Sequence, residues 1–205
     1  MLACRVAYER KDAYYKRAKA EGYRSRAAFK LVELNRRYKI LRPGERVVDL
    51  GSWPGGWVQV AAETVGAKGL VVGVDLVALD PLPQAWIRLF CADLRDENVR
   101  ARIAGEIGGR ADVVLSDMAP KLSGIRARDE AQSAELVQLA LNSAGQLLRP
   151  GGRLLVKLFD GPDTKALVDE FRGSFEQVST LRPEATRKGS SELYGFAAGF
   201  RPPPA

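Results

Sequence analysis

Six charged side chains stand in or beside runs that read as buried β-strands. Asp49 sits in RVVDL (46–50), Asp75 ends LVVGVD (70–75), and Asp93 ends WIRLFCAD (86–93). Asp117 ends DVVLSD (112–117), Lys157 interrupts LLVKLF (154–159), and Glu192 precedes LYGFAAGF (193–200). The chain has no histidine, so proton transfer near neutral pH falls to Lys, Asp, Glu or Tyr. Lys157 is the odd residue of the set, because a strand covered on both faces should be apolar throughout. A buried ammonium costs several kcal/mol unless it is paired or deprotonated. A lysine reaching solvent from the strand end is the bland alternative. Asp117 is expected at the carboxyl end of the adjacent strand, which favours a functional Lys157–Asp117 pair.

The elements that must position these groups alternate. Strands are expected at 46–50, 70–75, within 86–93, and at 112–117, 153–159, 175–181 and 193–200. Helices are expected at about 56–65, 97–107, 129–148 and 163–172. Two more precede the first strand, over 12–20 and from Ser25, as N-cap, to about Tyr38. Tyr14, Tyr15 and Ala18 are expected on one side of the first, and Phe29, Val32 and Leu34 on one side of the second. This alternation predicts an α/β, doubly wound parallel sheet with helices on both faces. No helix separates the last two strands, so the final one should run antiparallel. Ligands on such sheets bind at the carboxyl edge. Asp49, Asp75, Asp93, Asp117 and Lys157 fall there, and so does Glu192, because an antiparallel strand begins where parallel ones finish.

The loop DLGSWPGGW (49–57) follows the first strand. A dinucleotide fold wants G-x-G-x-x-G there, with a pyrophosphate on the helix N-terminus. The spacing Gly51-Ser-Trp-Pro-Gly55-Gly56 differs, and Trp-Pro takes the place of open backbone N–H groups. S-Adenosylmethionine has no phosphate and suits the loop better. Asp75 would accept from its ribose hydroxyls and Asp93 from its adenine amino group. A Tyr-x-x-x-Lys spacing at Tyr15–Lys19 precedes the first strand and reads as chance helix spacing, which disfavours a nicotinamide enzyme. A plain strand-to-helix turn with Trp57 in the core is the structural alternative.

Composition narrows the partners. The net charge of +7 is uneven: residues 1–42 carry 13 Lys/Arg against 4 Asp/Glu, and the remainder 19 against 21. Such a basic segment suits a polyanion, though a solvated helix face has the same composition. Two separated cysteines, Cys4 and Cys91, disfavour a disulfide framework or zinc site and fit a reducing compartment. No apolar run approaches the roughly 18 residues of a membrane helix. No secretory h-region is visible, and a mitochondrial transit peptide is not expected. One domain over 1–205 is expected, with a basic helical extension (1–42), a core (43–201) and a tail (202–205).

The motifs in order resemble the FtsJ/RrmJ family of RNA ribose 2′-O-methyltransferases. GYRSRAAFKL (22–31), DLGSWPGGW, SDMAPKLSG (116–124), LLVKLFDG (154–161) and RPEATRKGSSELYGFAAGF (182–200) carry the likeness. Ser52–Trp53 departs from the more typical Ala-Ala. The resemblance implies a Rossmann-like methyltransferase fold using S-adenosyl-L-methionine, with a seven-stranded, mostly parallel sheet. It implies a catalytic set of Lys30, Asp117, Lys157 and Glu192. Cofactor contacts would fall on Gly55, Trp57, Asp75, Asp93 and Asp117, with no metal. Lys157 is then the base for a ribose 2′-hydroxyl. Burial, Lys30 and the cofactor's charge should lower its pKa, while Asp117 orients it. On local sequence alone, Lys30 and Glu192 could equally be exposed surface residues. Tyr14, Tyr15, Tyr23, Arg24 and Arg26 would meet RNA phosphates and bases, with Arg126, Arg128, Arg187 and Lys188 along the same edge. A uridine of large-subunit ribosomal RNA, probed on the large ribosomal subunit, is the substrate the resemblance implies. Transfer RNA, or a non-catalytic role in ribosome assembly, is the alternative. A cytoplasmic monomer is expected.

Overall fold

The computed structural model describes residues 13–121, 123–161, 163–186 and 189–203, apart from the side chain of Arg126. In chain order the elements are α1 (Ala13–Ala20), α2 (Ala28–Tyr38), β1 (Arg46–Leu50), α3 (Gly56–Val65), β2 (Leu70–Asp75), β3 (Ile87–Cys91) and α4 (Glu97–Glu106). There follow β4 (Ala111–Ser116), α5 (Arg126–Leu147), β5 (Leu148–Phe159), α6 (Thr164–Ser174), β6 (Phe175–Leu181) and β7 (Glu192–Phe200). The strands form one sheet in the order β3-β2-β1-β4-β5-β7-β6. The first five in chain order pair in parallel. β7 is antiparallel to both its neighbours, as the missing crossover helix predicts.

Side chains alternate across the sheet with a period of two, and each face has its own core. Val48, Leu50, Val72, Val74, Val114, Val156 and Leu158 face α4, α5 and α6. Val47, Val71, Val113, Leu115 and Leu155 face α2 and α3. Each fully buried aliphatic side chain stabilises the fold by about 1.5–3 kcal/mol relative to exposure. Strands covered on both faces are therefore apolar at most positions.

Local expectations failed in instructive places. Ser25 does not cap α2: the helix starts at Ala28 behind Ala27, which makes no side-chain cap bond. Main-chain bonds from Ala28, Phe29 and Lys30 to Ser25, Arg26 and Ala27 carbonyls begin it instead. Along α1, Ala18 is buried and Tyr14 packs on Phe29, but Tyr15 is exposed. In α2 the inward residues are Phe29, Leu31 and Leu34, while Val32 faces out. β5 begins at Leu148, five residues before the expected start, because Leu148 pairs with Ala111, and the extra residues of β5 ahead of Arg153, the partner of Val113, take up the register shift. The first residue of the expected 12–20 helix, Cys4, and the last two residues of the tail lie outside the described residues.

Candidate active site

Antiparallel β7 places its first residue beside the last residue of β5. Glu192 is in register with Phe159, and Tyr194 with Lys157. Asp117 follows β4, the strand on the other side of β5. The result is a compact charged cluster. Lys157 Nζ lies 3.0 Å from Asp117 Oδ1 and 3.4 Å from Glu192 Oε2. Lys30, carried in by α2, donates to Glu192 Oε1. Lys30 and Glu192 are 7% and 8% exposed, which rejects the surface reading that their local sequence left open. The structure thus brings together all four members of the expected catalytic set.

Sequence reasoning missed a fifth member. The Tyr194 hydroxyl lies 2.7 Å from Asp117 Oδ1 and 3.1 Å from Glu192 Oε1. Its spacing was a usable signal, since residues i and i+2 of a strand share a face. Burial, then the Asp117 and Glu192 charges, push its phenol well above the ordinary value. Tyr194 therefore keeps its single proton, which it donates to either of the two carboxylates within its reach.

Electrostatics correct one expectation. Burial disfavours the Lys157 ammonium, but Asp117 and Glu192 outweigh it, and the pKa of Lys157 is raised. The expected lowering does not occur in this arrangement, because Lys30 spends its charge on Glu192 instead of facing Lys157 unpaired. Burial likewise raises Glu192, but Lys157 and Lys30 outweigh it and the net direction is downward. The cluster is a set of mutually compensated ions.

A cleft of about 410 Å³ opens beside this cluster, lined by residues that include Gly51, Trp53, Asp75, Leu76, Asp93, Asp117 and Met118. Asp117 is shared: it walls the cleft and pairs with Lys157. Asp75 accepts from the Trp53 and Val77 amides through separate oxygens. A carboxylate offers about four lone-pair sites, so Asp75 retains capacity for a vicinal diol. Asp93 accepts from the Arg95 amide and pairs with its side chain. Gly51 has φ +76°, and a Cβ there would collide with Met118, so the glycine loop and the Asp117 segment close on each other. Two acids, Asp75 and Asp93, beside an apolar wall of Leu76, Leu94 and Met118 fit the ribose and adenine of S-adenosylmethionine. A larger hollow of about 650 Å³ lies between α5 and α6. It lacks both the glycine loop and Asp75, so size does not identify the cofactor cleft.

Gly55 and Trp57 are not on the cleft wall. Trp57 is in the core, its indole N–H donating to Ala27 O and its ring 5.6 Å from that of Tyr194. Gly55 is covered by the Arg24 side chain. Arg24 and Arg26, expected to meet phosphates, instead donate to the carbonyls of Asp80, Pro81 and Ala185. Tyr23 donates to Glu63, and burial, then this partner, push its pKa up to about 12. Arg128 is exposed, whereas Arg187, Lys188 and the Arg126 side chain lie outside the described residues. Asp49 is wholly buried, and neither of its carboxylate oxygens has a hydrogen-bond partner. Burial, then Asp117 and Asp75, raise its pKa well above the usual carboxylate value. Among the described residues no group of three or more His, Cys, Asp or Glu is placed to hold a metal. No described helix is long and apolar enough to cross a membrane.

Known proteins resemble this chain in sequence and in fold. A family model described as FtsJ-like methyltransferase matches residues 23–200. A Methanothermobacter thermautotrophicus protein named ribosomal RNA large subunit methyltransferase E is 45% identical over 195 residues, covering 95% of this chain and 92% of that protein. A protein of the same name from Methanothrix thermoacetophila is 48% identical, covering 92% of this chain and 72% of that one. The crystal structure of a Plasmodium falciparum protein described as a ribosomal RNA methyltransferase superposes with a TM-score of 0.76 at 30% identity, covering 87% of this chain and 98% of that chain. Matched along nearly its whole length in sequence and in fold, the chain belongs to the FtsJ-like methyltransferase family, and its methyl donor is S-adenosylmethionine.

Proposed function

We propose that this enzyme methylates the 2′-hydroxyl of an RNA ribose, with a uridine of large-subunit ribosomal RNA as its target. The observation that carries the reading is the buried Lys157–Asp117–Glu192–Lys30 cluster, which shares Asp117 with the cofactor cleft. The names of the relatives support the ribosomal substrate. The basic N-terminal segment supports an RNA partner, and we assign residues 1–42 to RNA docking on the 43–201 core. Within the described part, exposed Lys16 and Lys19 flank a shallow notch with Tyr15, and they replace Arg24 and Arg26 as the phosphate contacts. The protein acts as a monomer in the cytoplasm, on the large ribosomal subunit.

S-Adenosylmethionine supplies a methyl group already activated on a sulfonium centre. The chain's own task is then to place a weak nucleophile in line and remove its proton. Neutral Lys157 takes the hydroxyl proton at Nζ, and Asp117 and Glu192 stabilise the ammonium that forms. Their presence makes the amine a stronger base and, equally, a rarer one near neutral pH. Lys30 and Tyr194 keep Glu192 ionised and oriented. Asp75 and Asp93 hold the cofactor's ribose and adenine, and Gly55 and Trp57, off the cleft wall, shape the turn that carries the glycine loop.

The test is incubation with methyl-labelled S-adenosylmethionine and unmodified large ribosomal subunits, with transfer RNA in parallel. Alkali-resistant labelled dinucleotides, which a 2′-O-methyl group produces, are expected from the ribosomal sample alone. Label from transfer RNA alone replaces the substrate. Bound cofactor without label from either RNA overturns the reading.

A further inference from the structure

The segment that joins α1 to α2 is fastened to the cofactor side of the molecule at several points. Gln59 of α3 accepts from the Arg24 amide at 2.8 Å and donates to Gly22 O at 2.9 Å. From there the Arg24 side chain crosses Gly55, the glycine ahead of α3. A Cβ on Gly55 would meet Arg24 Cδ at 3.0 Å and Nη1 at 3.1 Å, and φ of +112° keeps the position for glycine. The guanidinium then donates to Asp80 O at 2.7 Å and Pro81 O at 2.8 Å. Both carbonyls belong to the segment after β2, which begins with Leu76; Leu76 and Asp75, the last residue of β2, line the cleft wall. One half-buried arginine thus spans the two loops between which the cofactor is held.

We propose that Arg24 is a positioning residue for the cofactor cleft, tying the glycine loop after β1 to the segment after β2. It acts through Gly55 and the Asp80 and Pro81 carbonyls, without being a contact of the methyl acceptor. The planar fork of arginine suits this task, because it reaches two carbonyls at once, whereas the single ammonium of lysine is a point donor. A solvated arginine in this basic segment would instead contact phosphate, and the two roles differ in what they control. The inference rests on the methyl-donor cleft and is independent of which RNA is methylated.

Calorimetric titration with S-adenosylhomocysteine tests it, using wild type, Arg24→Ala and Arg24→Lys, with no RNA present. The dissociation constant should rise about tenfold in R24A and by a smaller factor in R24K. The KM for S-adenosylmethionine should rise in parallel, with kcat at saturating cofactor within a few-fold of wild type. Binding to a large-subunit ribosomal RNA transcript, measured against salt, should keep the wild-type slope in R24K. Homocysteine-nucleoside affinity within twofold of wild type in both variants overturns the proposal. So does weakened RNA binding with a shallower salt slope and unchanged cofactor affinity, the signature of a lost phosphate contact. Should R24A melt below the assay temperature, R24K decides alone: it keeps the charge that a phosphate needs and loses the double carbonyl tie.

Discussion

The two halves of the site are built on opposite plans. At the ends of β1, β2 and β3 the chain makes its cleft from neighbours in sequence: Asp75 is held by the amides of Trp53 and Val77, and Asp93 by that of Arg95. At the ends of β4, β5 and β7 the groups come from four remote segments, and side chains hold one another. Lys30 and Glu192 stand 162 residues apart in the chain. The first half is a main-chain mould and should tolerate loss of one side chain with weakened binding. The second is a closed circuit of buried charge, in which removing one member strands another.

The largest expected effect is on the circuit's chemistry. Lys157→Arg keeps the charge and cannot easily give up its proton, so single-turnover methylation should fall by about 10³-fold or more. Wild-type turnover should rise with pH by about one log unit per pH unit below the folded pKa of Lys157, which its two carboxylates raise. A flat pH–rate profile together with near-wild-type turnover in K157R would remove Lys157 as the base.

Glu192→Gln comes next, since it leaves Lys30 and Lys157 facing an amide. Urea unfolding at neutral pH should show a loss of about 3–5 kcal/mol. The sign with pH follows from the lowered pKa of Glu192. Its stabilisation is present above the unfolded value of 4.5 and is lost as pH falls through the folded one. Lys157 is raised, so its contribution is present below 10.5 and is lost as pH rises through its folded pKa. The wild type should therefore weaken at both extremes, and E192Q should weaken less on acidification. Equal acid sensitivity of the two proteins would show that the circuit is not coupled as described.

On the mould side the effect is smaller. Asp75→Asn keeps shape and loses charge, so affinity for S-adenosylhomocysteine should drop about 10- to 100-fold by calorimetry. Turnover at saturating cofactor should stay within a few-fold, and a matching collapse of kcat would erase the contrast between the halves. The smallest change belongs to Asp49, buried with neither oxygen bonded. Its raised pKa means the folded state keeps a proton that the unfolded state releases above 3.8. Stability attributable to Asp49 therefore declines as pH rises from 3.8 toward the folded value. Asp49→Asn cannot titrate, so its denaturation midpoint near neutral pH should exceed wild type by the equivalent of about 1 kcal/mol.

The same contrast explains what could be read from the chain alone. Strand runs such as LVVGVD and the DLGSWPGGW loop are local, and their spacing was enough to place a cleft beside Asp75 and Asp93. Lys157 and Asp117 were legible because a charge in an apolar strand needs a partner on the next strand. Lys30 was not legible from its own surroundings: a lysine on a basic helix becomes a buried ion only when α2 meets β7. Arg24 and Arg26 misled for the converse reason, since composition counts their charge and cannot count the carbonyls that consume it. Trp57 drew attention through its place in the loop, yet helix periodicity turned its ring into the core.

β7 is the last strand in chain order, yet it lies between β5 and β6 inside the sheet. During vectorial synthesis, β6 emerges before the strand that must separate it from β5. The slot beside β5 therefore stays open while all but the final strand has been translated. Lys30 and Lys157 are both made long before the carboxylate that links them. A chain interrupted ahead of Glu192 would hold a nearly complete cofactor mould with Lys30 lacking its carboxylate and Lys157 left with Asp117 alone, so assembly of the catalytic circuit coincides with closure of the sheet.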